Sequence, residues 1–278
     1  MGRLAVVGDL VEDVVVWPER PLRRGTDTPA RVFRARGGSA ANVAVAAAAE
    51  VPVRFAGCVG DDPLGHRLVA ALVEAGVEPH VQRRGRTGSV VVLVDVDGER
   101  TFLPDRGASA HLQPLDDAFL DGVDVLHVPA YGLHGGSTAG AVRALLAGAR
   151  ARGVAVSLDA SSLAVLEAVG VEDVRGLVEQ VQPVVLLANA DEAALLQVRE
   201  RPLPVEVVVK DGPRPTTVLG PDPLVVPVEP VDSVRDTTGA GDAFAAGWLT
   251  GWMEGLGPRE RVERGHRRAR DVLARPGA

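Results

Sequence analysis

The strongest chemical pattern in the chain is the segment Asp236-Thr237-Thr238-Gly239-Ala240-Gly241-Asp242-Ala243-Phe244. It follows the strand-like run Leu224–Val228 and opens a pattern typical of a helix. Glycines there let the backbone approach a ligand closely, and the free N–H groups of a first helical turn attract an anion. Asp242 lies inside this turn, so a carboxylate base would stand beside anion donors, which favours phosphoryl transfer to a hydroxyl group. The alternative interpretation is that Asp242 only caps the helix.

Two further segments near the start of the chain offer polar groups for a ligand. Gly37-Gly38-Ser39-Ala40-Ala41-Asn42 leads into an alanine-rich helical stretch, and its glycines allow close approach of a ligand or a neighbouring backbone. The Asn42 amide offers a donor and an acceptor, which suits a polyol, although it could equally be a polar residue that begins the helix. Asp9 and Asp13 follow the first strand, where open α/β sheets bind ligands, so either carboxylate could hold hydroxyl groups.

A fourth segment, Asn189-Ala190-Asp191-Glu192, follows the strand-like run Val184–Leu187. Asn189 could cap the next helix. Glu192 could instead orient magnesium through water, because Mg²⁺ in proteins usually retains several waters. The chain has only two asparagines, Asn42 and Asn189, and one lysine, Lys210, and it has no isoleucine. Because both rare asparagines lie in these motifs, the composition favours a functional role for each.

Composition and motif content exclude several classes of protein. The chain has 278 residues and a formal net charge of −7, which argues against a nucleic-acid partner. A Walker-type phosphate loop needs a Gly-Lys pair, and the single lysine follows Val209. No G-x-G-x-x-G follows the first strand and no G-x-S-x-G elbow occurs, so the fingerprints of dinucleotide-binding proteins and esterases are absent. The six histidines show no metal-ligand spacing.

The same composition predicts a cytoplasmic location. The chain has a single cysteine, Cys58, so it cannot form the internal disulfides that stabilise many secreted proteins. No signal-peptide pattern precedes the first strand, and no uncharged apolar run reaches the ~18 residues of a membrane span. We therefore expect neither a membrane nor a nucleic acid as partner.

Short apolar runs alternate with helical patterns through most of the chain, which predicts buried parallel strands joined by helices. The fold class predicted is α/β, with a mostly parallel central sheet covered on both sides. Strands are expected at Arg3–Val7, Val53–Cys58, Val123–Val128, Val154–Leu158, Val184–Leu187 and Val205–Val209, and helices at Leu64–Ala75, Thr138–Arg152 and Ala190–Val198.

Two stretches break this alternation and predict antiparallel ribbons. The first joins Asp13–Trp17 to Arg31–Ala35, and the second joins His80–Arg84, Ser89–Val96 and Glu99–Leu103. The last two runs are connected by Asp97-Gly98, a pair favoured in two-residue hairpins. We expect these ribbons to form a small lid from about residues 13–36 and 79–104 that excludes water from a site. The prediction is a single domain, residues 1–278, with that lid inserted.

The early Gly37-Gly38-x-x-Ala41-Asn42 and the late Asp236–Asp242 segment together resemble the two motifs of the ribokinase-like (PfkB) family of carbohydrate kinases. Between them, Val59–Gly65 is similar to a turn of that family, Asp97–Thr101 to its lid hairpin and Asn189-x-x-Glu192 to its magnesium motif. The likeness therefore spans nearly the whole chain. It implies a three-layer α/β sandwich with a β-sheet lid.

The resemblance also implies an activity, in which ATP donates a phosphoryl group to a hydroxyl of a sugar or sugar-like compound with Mg²⁺ present. The site residues it implies are Asp242 as base; Gly239, Ala240 and Gly241 as the anion hole; Asp13, Gly37, Gly38 and Asn42 for the substrate; Asn189, Lys210, Gly212 and Thr237 for the nucleotide; and Glu192 for magnesium through water.

Some positions depart from the family pattern. Asp159-Ala160-Ser161-Ser162 stands where members often have Asp-Pro-Asn-x-Arg, and Pro215 stands where a second glycine is common. The residues after Arg275 are fewer than those that usually complete a potassium loop, so a monovalent cation, to which Asp236 would contribute, is not favoured.

Two other functions stay open at this stage. One is a nucleoside kinase, which is disfavoured because only Tyr131 and Phe102 offer nearby aromatic surface for a purine. The other is a non-catalytic protein that binds a nucleotide or a sugar on the same scaffold. Dimerisation through the lid is common in the family, so a homodimer is a further expectation.

Overall fold

The computed structural model describes residues 2–95, 100–231 and 237–274. Within them, strands β1 to β13 are Leu4–Val7, Val11–Pro18, Ala30–Gly37, Val53–Val59, Val77–Arg83, Thr87–Val94, Arg100–Gly107, Val125–Pro129, Ala155–Asp159, Val185–Asn189, Val207–Asp211, Arg214–Leu219 and Leu224–Val226. Helices α1 to α8 are Ser39–Ala48, Pro63–Glu74, Gly136–Ala151, Leu163–Val169, Val171–Val181, Ala190–Leu195, Ala240–Met253 and Pro258–Leu273.

Nine strands form the large sheet, in the order β13-β12-β11-β10-β9-β8-β1-β4-β5. The strands from β11 to β5 run parallel, whereas β12 and β13 pair antiparallel at one edge. Parallel strands place their carboxyl ends along one edge of the sheet, where such folds bind ligands. The mostly parallel sheet that the sequence predicted is confirmed.

Helices cover both faces of this sheet because its strands are apolar on both faces. In β1, Ala5 and Val7 pack into one core together with α3, α4, α5 and α6. Leu4 and Val6 pack into a second core together with α1, α2, α7 and α8. The three layers of helices, sheet and helices are the arrangement that continuous apolar strands require.

The second sheet has four strands in the order β3-β2-β6-β7. The pairs β2–β3 and β6–β7 are antiparallel ribbons, and β2 joins β6 in parallel. We call this four-stranded sheet the lid. The predicted Asp97-Gly98 turn lies outside the described residues.

One predicted lid strand belongs elsewhere. The prediction of a ribbon at His80–Arg84 is wrong, because β5 pairs in parallel with β4 and forms an edge of the large sheet. From Val77 to Val81 its side chains alternate between less and more exposed, as in a ribbon, because an edge strand is covered on one face only. The lid strands are therefore Val11–Pro18, Ala30–Gly37, Thr87–Val94 and Arg100–Gly107. In the part of the chain described here, no helix is long and apolar enough to cross a bilayer.

Candidate active site

Asp242 lies in the first turn of α7, which begins after Gly239 in a left-handed conformation with φ 76°. Its carboxylate accepts two hydrogen bonds from α1, one from Ser39 Oγ at 2.6 Å and one from Asn42 Nδ2 at 2.9 Å. Burial raises the pKa of Asp242 to about 6, and the hydrogen bonds from Ser39 and Asn42 oppose that rise. The group is therefore ionised at neutral pH yet more basic than an ordinary aspartate, which suits a general base.

The backbone of the same turn supplies the donors expected of an anion site. Gly239, Ala240 and Gly241 precede Asp242, and the Ala240 N–H donates only a long hydrogen bond, 3.3 Å, to the Thr237 carbonyl. Such a long bond is easily exchanged for one to a better acceptor.

Arg36, at the end of β3, completes the network around the base. Its Nη1 donates to Asn42 Oδ1 at 2.6 Å, so the Asn42 amide is held with its nitrogen toward Asp242. Burial lowers the pKa of the half-buried Arg36 guanidinium, and the charges of Asp242 and Asp13 oppose that effect. The sequence does not indicate a role for Arg36, because the bond to Asn42 forms only when the chain turns at Gly37 and Gly38 from β3 into α1.

Asp13 lies on β2 of the lid and faces the same space. Burial and the negative charge of Asp242 raise its pKa to about 6, and Arg36 opposes the rise. Gly37 and Gly38 make this approach possible. A Cβ at Gly37 would lie 2.1 Å from Asp13 Oδ1, and one at Gly38, where φ is 98°, would lie 2.2 Å from the Asp9 carbonyl oxygen. The glycine pair is thus explained by close packing against two neighbours.

The Asp9 carboxylate is paired with an arginine and is not available to a ligand in the way the sequence suggested. Arg106, at the end of β7, donates from Nε and Nη2 to its two carboxylate oxygens at 2.8 and 2.7 Å. The paired side chains tie the last lid strand to the first strand of the large sheet. The sequence offered no sign of this contact, which joins residues 97 positions apart.

Asn189 and Glu192 form a capping box at the start of α6. Glu192 Oε2 accepts from the Asn189 N–H at 2.8 Å, and the Glu192 N–H donates to Asn189 Oδ1 at 2.9 Å. The capping interpretation of Asn189 is thus correct, and Glu192 is 3% exposed. Burial and the charge of Asp159 raise the pKa of Glu192 to about 7. Both Glu192 oxygens accept hydrogen bonds from Asn189, so this carboxylate could hold a divalent cation only through water.

Lys210, at the end of β11, lies beneath the first turn of α7. Its Nζ donates to Asp159 Oδ2 at 3.1 Å and stands 3.7 Å from the place where a Cβ on Gly241 would be. The charges of Asp159, Glu192 and Asp242 raise the pKa of Lys210 against the effect of burial. A permanent cation therefore lies directly below the anion site.

The remaining predicted residues lie at the edges of this group. Thr237 Oγ1 accepts from Arg100 Nη1 at 2.6 Å, which joins the lid to the segment before α7. Gly212 lies in the β11–β12 turn with φ 56°, and no other part of the described chain would touch a Cβ there. The structure thus brings together Asp13, Asn42, Lys210 and Asp242, with Asn189 and Glu192 beside them, and leaves Gly212 apart.

The model of the pfkB family carbohydrate kinases matches residues 1–278. The chain belongs to this family. A fructokinase of Klebsiella pneumoniae is 30% identical, over 90% of this chain and 84% of its own. An ATP-dependent ribose-1-phosphate kinase of Halopiger xanaduensis is 33% identical, over 91% of this chain and 86% of its own.

The family assignment agrees with the fold. An E. coli protein of the ribokinase type, solved with ATP and Mg²⁺, superposes with a TM-score of 0.84 at 20% identity, covering all of this chain and 94% of that one. The chain is therefore a kinase of the pfkB family with the ribokinase-like fold, a family whose members use ATP. The resemblance drawn from the two glycine motifs is confirmed.

Proposed function

We propose that this pfkB-family kinase transfers the γ-phosphoryl group of ATP to a hydroxyl group of a sugar or sugar-like acceptor, with Asp242 as the general base. The observation that carries the proposal is the position of the Asp242 carboxylate, which is held by Ser39 and Asn42 beside the amino end of α7. A base and an anion site in one helical turn are what the transfer of a phosphoryl group to a hydroxyl requires.

The acceptor would lie between α1 and the lid. Asp242 removes the proton of the reacting hydroxyl, and Asp13 accepts hydrogen bonds from other hydroxyl groups. Asn42 has its amide fixed on both sides by Arg36 and Asp242, so its remaining donor hydrogen and lone pair are presented in a defined direction. Gly37 and Gly38 let Asp13 and the Asp9 backbone pack closely against them, and so set the position of Asp13 beside the acceptor.

The nucleotide would lie across the ends of β10 and β11. The N–H groups of Gly239, Ala240 and Gly241 bind the charge that develops on the transferred group, and Lys210 lies beneath them. The part-buried Asp159 and the buried Glu192 carboxylates would hold Mg²⁺ through its waters, which this ion keeps in proteins. Asn189, Thr237 and Gly212 are the other nucleotide residues of this proposal. Bound ATP would supply the phosphoryl group, and Mg²⁺ held beside Glu192 would offset the charge on its oxygens.

A nucleoside is the second candidate acceptor, and the lid favours it more than the sequence suggested. Trp17 shares the face of β2 with Asp13, and the strand register places Phe33 and Phe102 on that same face. Phe33 is 51% exposed and Phe102 is 53% exposed, so aromatic surface is available to a base. The expectation that only Tyr131 and Phe102 offer nearby aromatic surface is wrong, because the strand register adds Trp17 and Phe33 to the face of Phe102. The sequence could not show this, because these residues lie far from Phe102 along the chain. Dimerisation through the lid stays a prediction.

A panel of acceptors will decide between these functions. We expect ATP consumption, measured by coupled release of ADP, with at least one sugar or sugar phosphate, and weaker consumption with nucleosides. Preference for a nucleoside would assign the second candidate. Binding of ATP with no consumption across the whole panel would leave a non-catalytic binding protein and contradict the proposal.

The pH dependence of turnover will report the acidic groups of the site, and Ser39→Ala identifies the contribution of Asp242. The base acts only when ionised, and its pKa is raised to about 6, so kcat should fall as the pH drops through 6. Ser39→Ala removes a donor that favours the carboxylate, so we expect the pKa to rise and the acid limb to move to higher pH. The measurement is kcat between pH 5 and 8 at saturating substrates. Ser137→Ala, which removes a hydroxyl bonded only to Gln113, is the control, and an unmoved limb in Ser39→Ala would contradict the assignment.

A further inference from the structure

Arg36 lies near the end of the lid strand β3 and performs no step of the transfer itself. The chain turns at Gly37 and Gly38 directly after it, and α1 begins at Ser39. This turn brings the arginine side chain back to the first turn of α1, where its Nη1 donates to Asn42 Oδ1 at 2.6 Å. One hydrogen bond thus joins the lid to the helix that holds the base.

The Asn42 amide lies between two groups with opposite requirements. Its nitrogen donates to Asp242 Oδ2 at 2.9 Å, and its oxygen accepts from the Arg36 guanidinium. A guanidinium can only donate hydrogen bonds, and an ionised carboxylate can only accept them. Only one orientation of the amide therefore satisfies both neighbours, and it is the one with the nitrogen toward Asp242.

The arginine becomes necessary once the base has taken a proton. A protonated Asp242 is a donor as well as an acceptor, so it no longer selects one end of the Asn42 amide. Arg36 still accepts nothing, and it keeps the amide oxygen toward itself and the amide nitrogen toward Asp242. Asn42 therefore continues to donate to the carboxyl group. This bond favours the ionised form and opposes the rise in the pKa of Asp242 that burial causes.

Other charged groups also act on the base, but from different directions. Asp13 acts from the lid, as Arg36 does, whereas Asp159 and Lys210 act from the large sheet. Within the described ranges, Arg36 is the charged donor that is bonded to the Asn42 amide. The orientation of the amide therefore depends on this one arginine.

We propose that Arg36 is a positioning residue, which fixes the Asn42 amide so that its nitrogen faces the base throughout the transfer. This inference rests on the proposed function. In this role Arg36 acts through Asn42 rather than by contact with the acceptor or the phosphoryl group. Because Arg36 lies on the lid and Asn42 on α1, the base has its correct surroundings only while β3 stays beside that helix.

Arg36→Met removes the donor and the charge and keeps an unbranched side chain. We expect kcat at pH 7 to fall by about 10- to 10²-fold, because groups displaced around the reacting atoms cost up to about that much. The acid limb of kcat should move to higher pH, since losing the charge and losing the fixed amide both favour protonated Asp242. The KM for ATP should not change.

Two further variants control for charge and for folding. Arg34→Met removes an arginine from the same strand, whose side chain is 62% exposed and whose partner Glu12 keeps its bond to Arg67, so kinetics should stay those of the wild type. Arg36→Lys keeps a charged donor on a long stem, so most of kcat should return. It provides the measurement if methionine disturbs the lid.

A double-mutant cycle with Asn42→Ala shows whether Arg36 acts through the amide. Once the amide is gone there is nothing to position, so Arg36→Met should then lower kcat by no more than about two-fold, the usual scatter of independent effects. A loss of equal size in the presence and absence of Asn42 would mean that the arginine acts alone, and would overturn the inference.

The two asparagines of the chain allow a test that does not depend on activity. Protein labelled with ¹⁵N in its asparagine side chains will show two amide groups, and Asn42→Ala identifies that of Asn42. In Arg36→Met we expect the two Asn42 amide protons to exchange faster with water and their chemical shifts to converge, because the amide can rotate. The Asn189 amide, which donates to Glu192 Oε1 at 2.8 Å, is the internal reference.

The outcomes separate this inference from the proposed function. Wild-type kinetics or unchanged Asn42 signals in Arg36→Met would overturn the inference and leave the kinase activity in place. If the wild-type protein transfers no phosphoryl group to any acceptor, the proposed function is overturned, and the role of Arg36 in that transfer falls with it.

Discussion

Asp242→Asn is expected to lower kcat by about 10²- to 10⁴-fold, the range that a positioned general base contributes. The amide cannot take the proton of the acceptor hydroxyl, yet its oxygen can still accept from Ser39 or from Asn42. The backbone donors of Gly239 to Gly241 are untouched, so ATP should bind with nearly wild-type affinity. Steady-state turnover at saturating substrates measures the first effect, and titration calorimetry with ATP measures the second.

The thermal stability of Asp242→Asn shows whether its lost turnover comes from the missing base or from unfolding. Burial raises the pKa of Asp242 above its unfolded value, so at pH 7 the ionised carboxylate destabilises the native state. The neutral amide removes that cost, and we expect Tm at pH 7 to be at or above the wild-type value. Asp117→Asn, at a side chain that is 93% exposed, is the matched control and should change neither turnover nor Tm. Turnover close to wild type in Asp242→Asn would exclude this aspartate as the base.

Residues whose role depends on local geometry could be predicted from the sequence. Asp242 could be placed because glycines before an apolar helix create a helix start with free N–H groups, whatever the rest of the chain does. The strands of the large sheet were readable because burial on both faces demands continuous apolar runs. Asn189 was readable as a cap for the same local reason.

Residues whose role depends on distant partners could not be predicted from the sequence. Ser39 and Asp242 are separated by 203 positions, and neither side chain alone indicates the other. Arg106 looks like an ordinary charged residue of an exposed strand until the fold sets it against Asp9, 97 positions away. The wrong placement of β5 has the same origin, because pairing with β4 leaves no mark in its own sequence.

Lys210→Met is expected to lower the free energy of unfolding by about 3–5 kcal/mol, the usual result of removing one partner of a buried ion pair. The Lys210 side chain is 17% exposed and that of Asp159 is 12% exposed. Methionine can fill the same volume beside the Phe244 ring, so the loss would come from charge rather than from packing. Asp159 would be left unpaired near Glu192, and turnover should fall because the anion site loses its cation.

A control for the loss of a positive charge lies on the same β11–β12 hairpin as Lys210. Arg214 pairs with Asp211 at the surface, where the arginine side chain is 71% exposed. Because surface pairs contribute about 0–1 kcal/mol, Arg214→Met should leave stability nearly unchanged. Urea unfolding of both variants at pH 7 gives the comparison. A loss below about 1 kcal/mol in Lys210→Met, with wild-type turnover, would show that the buried pair has neither role.

The double variant Lys210→Met/Asp159→Asn separates stability from chemistry. Removing both charges takes away the unpaired carboxylate, so we expect most of the lost unfolding free energy to return, as it does when buried ion pairs are replaced by neutral groups. Turnover should not return, because no cation then lies beneath Gly241 and the Asp159 oxygens no longer hold both Lys210 and Ser161. Recovery of both quantities would mean that Lys210 only neutralises Asp159. Recovery of stability alone would show that Lys210 or Asp159 acts in turnover beyond neutralising its partner.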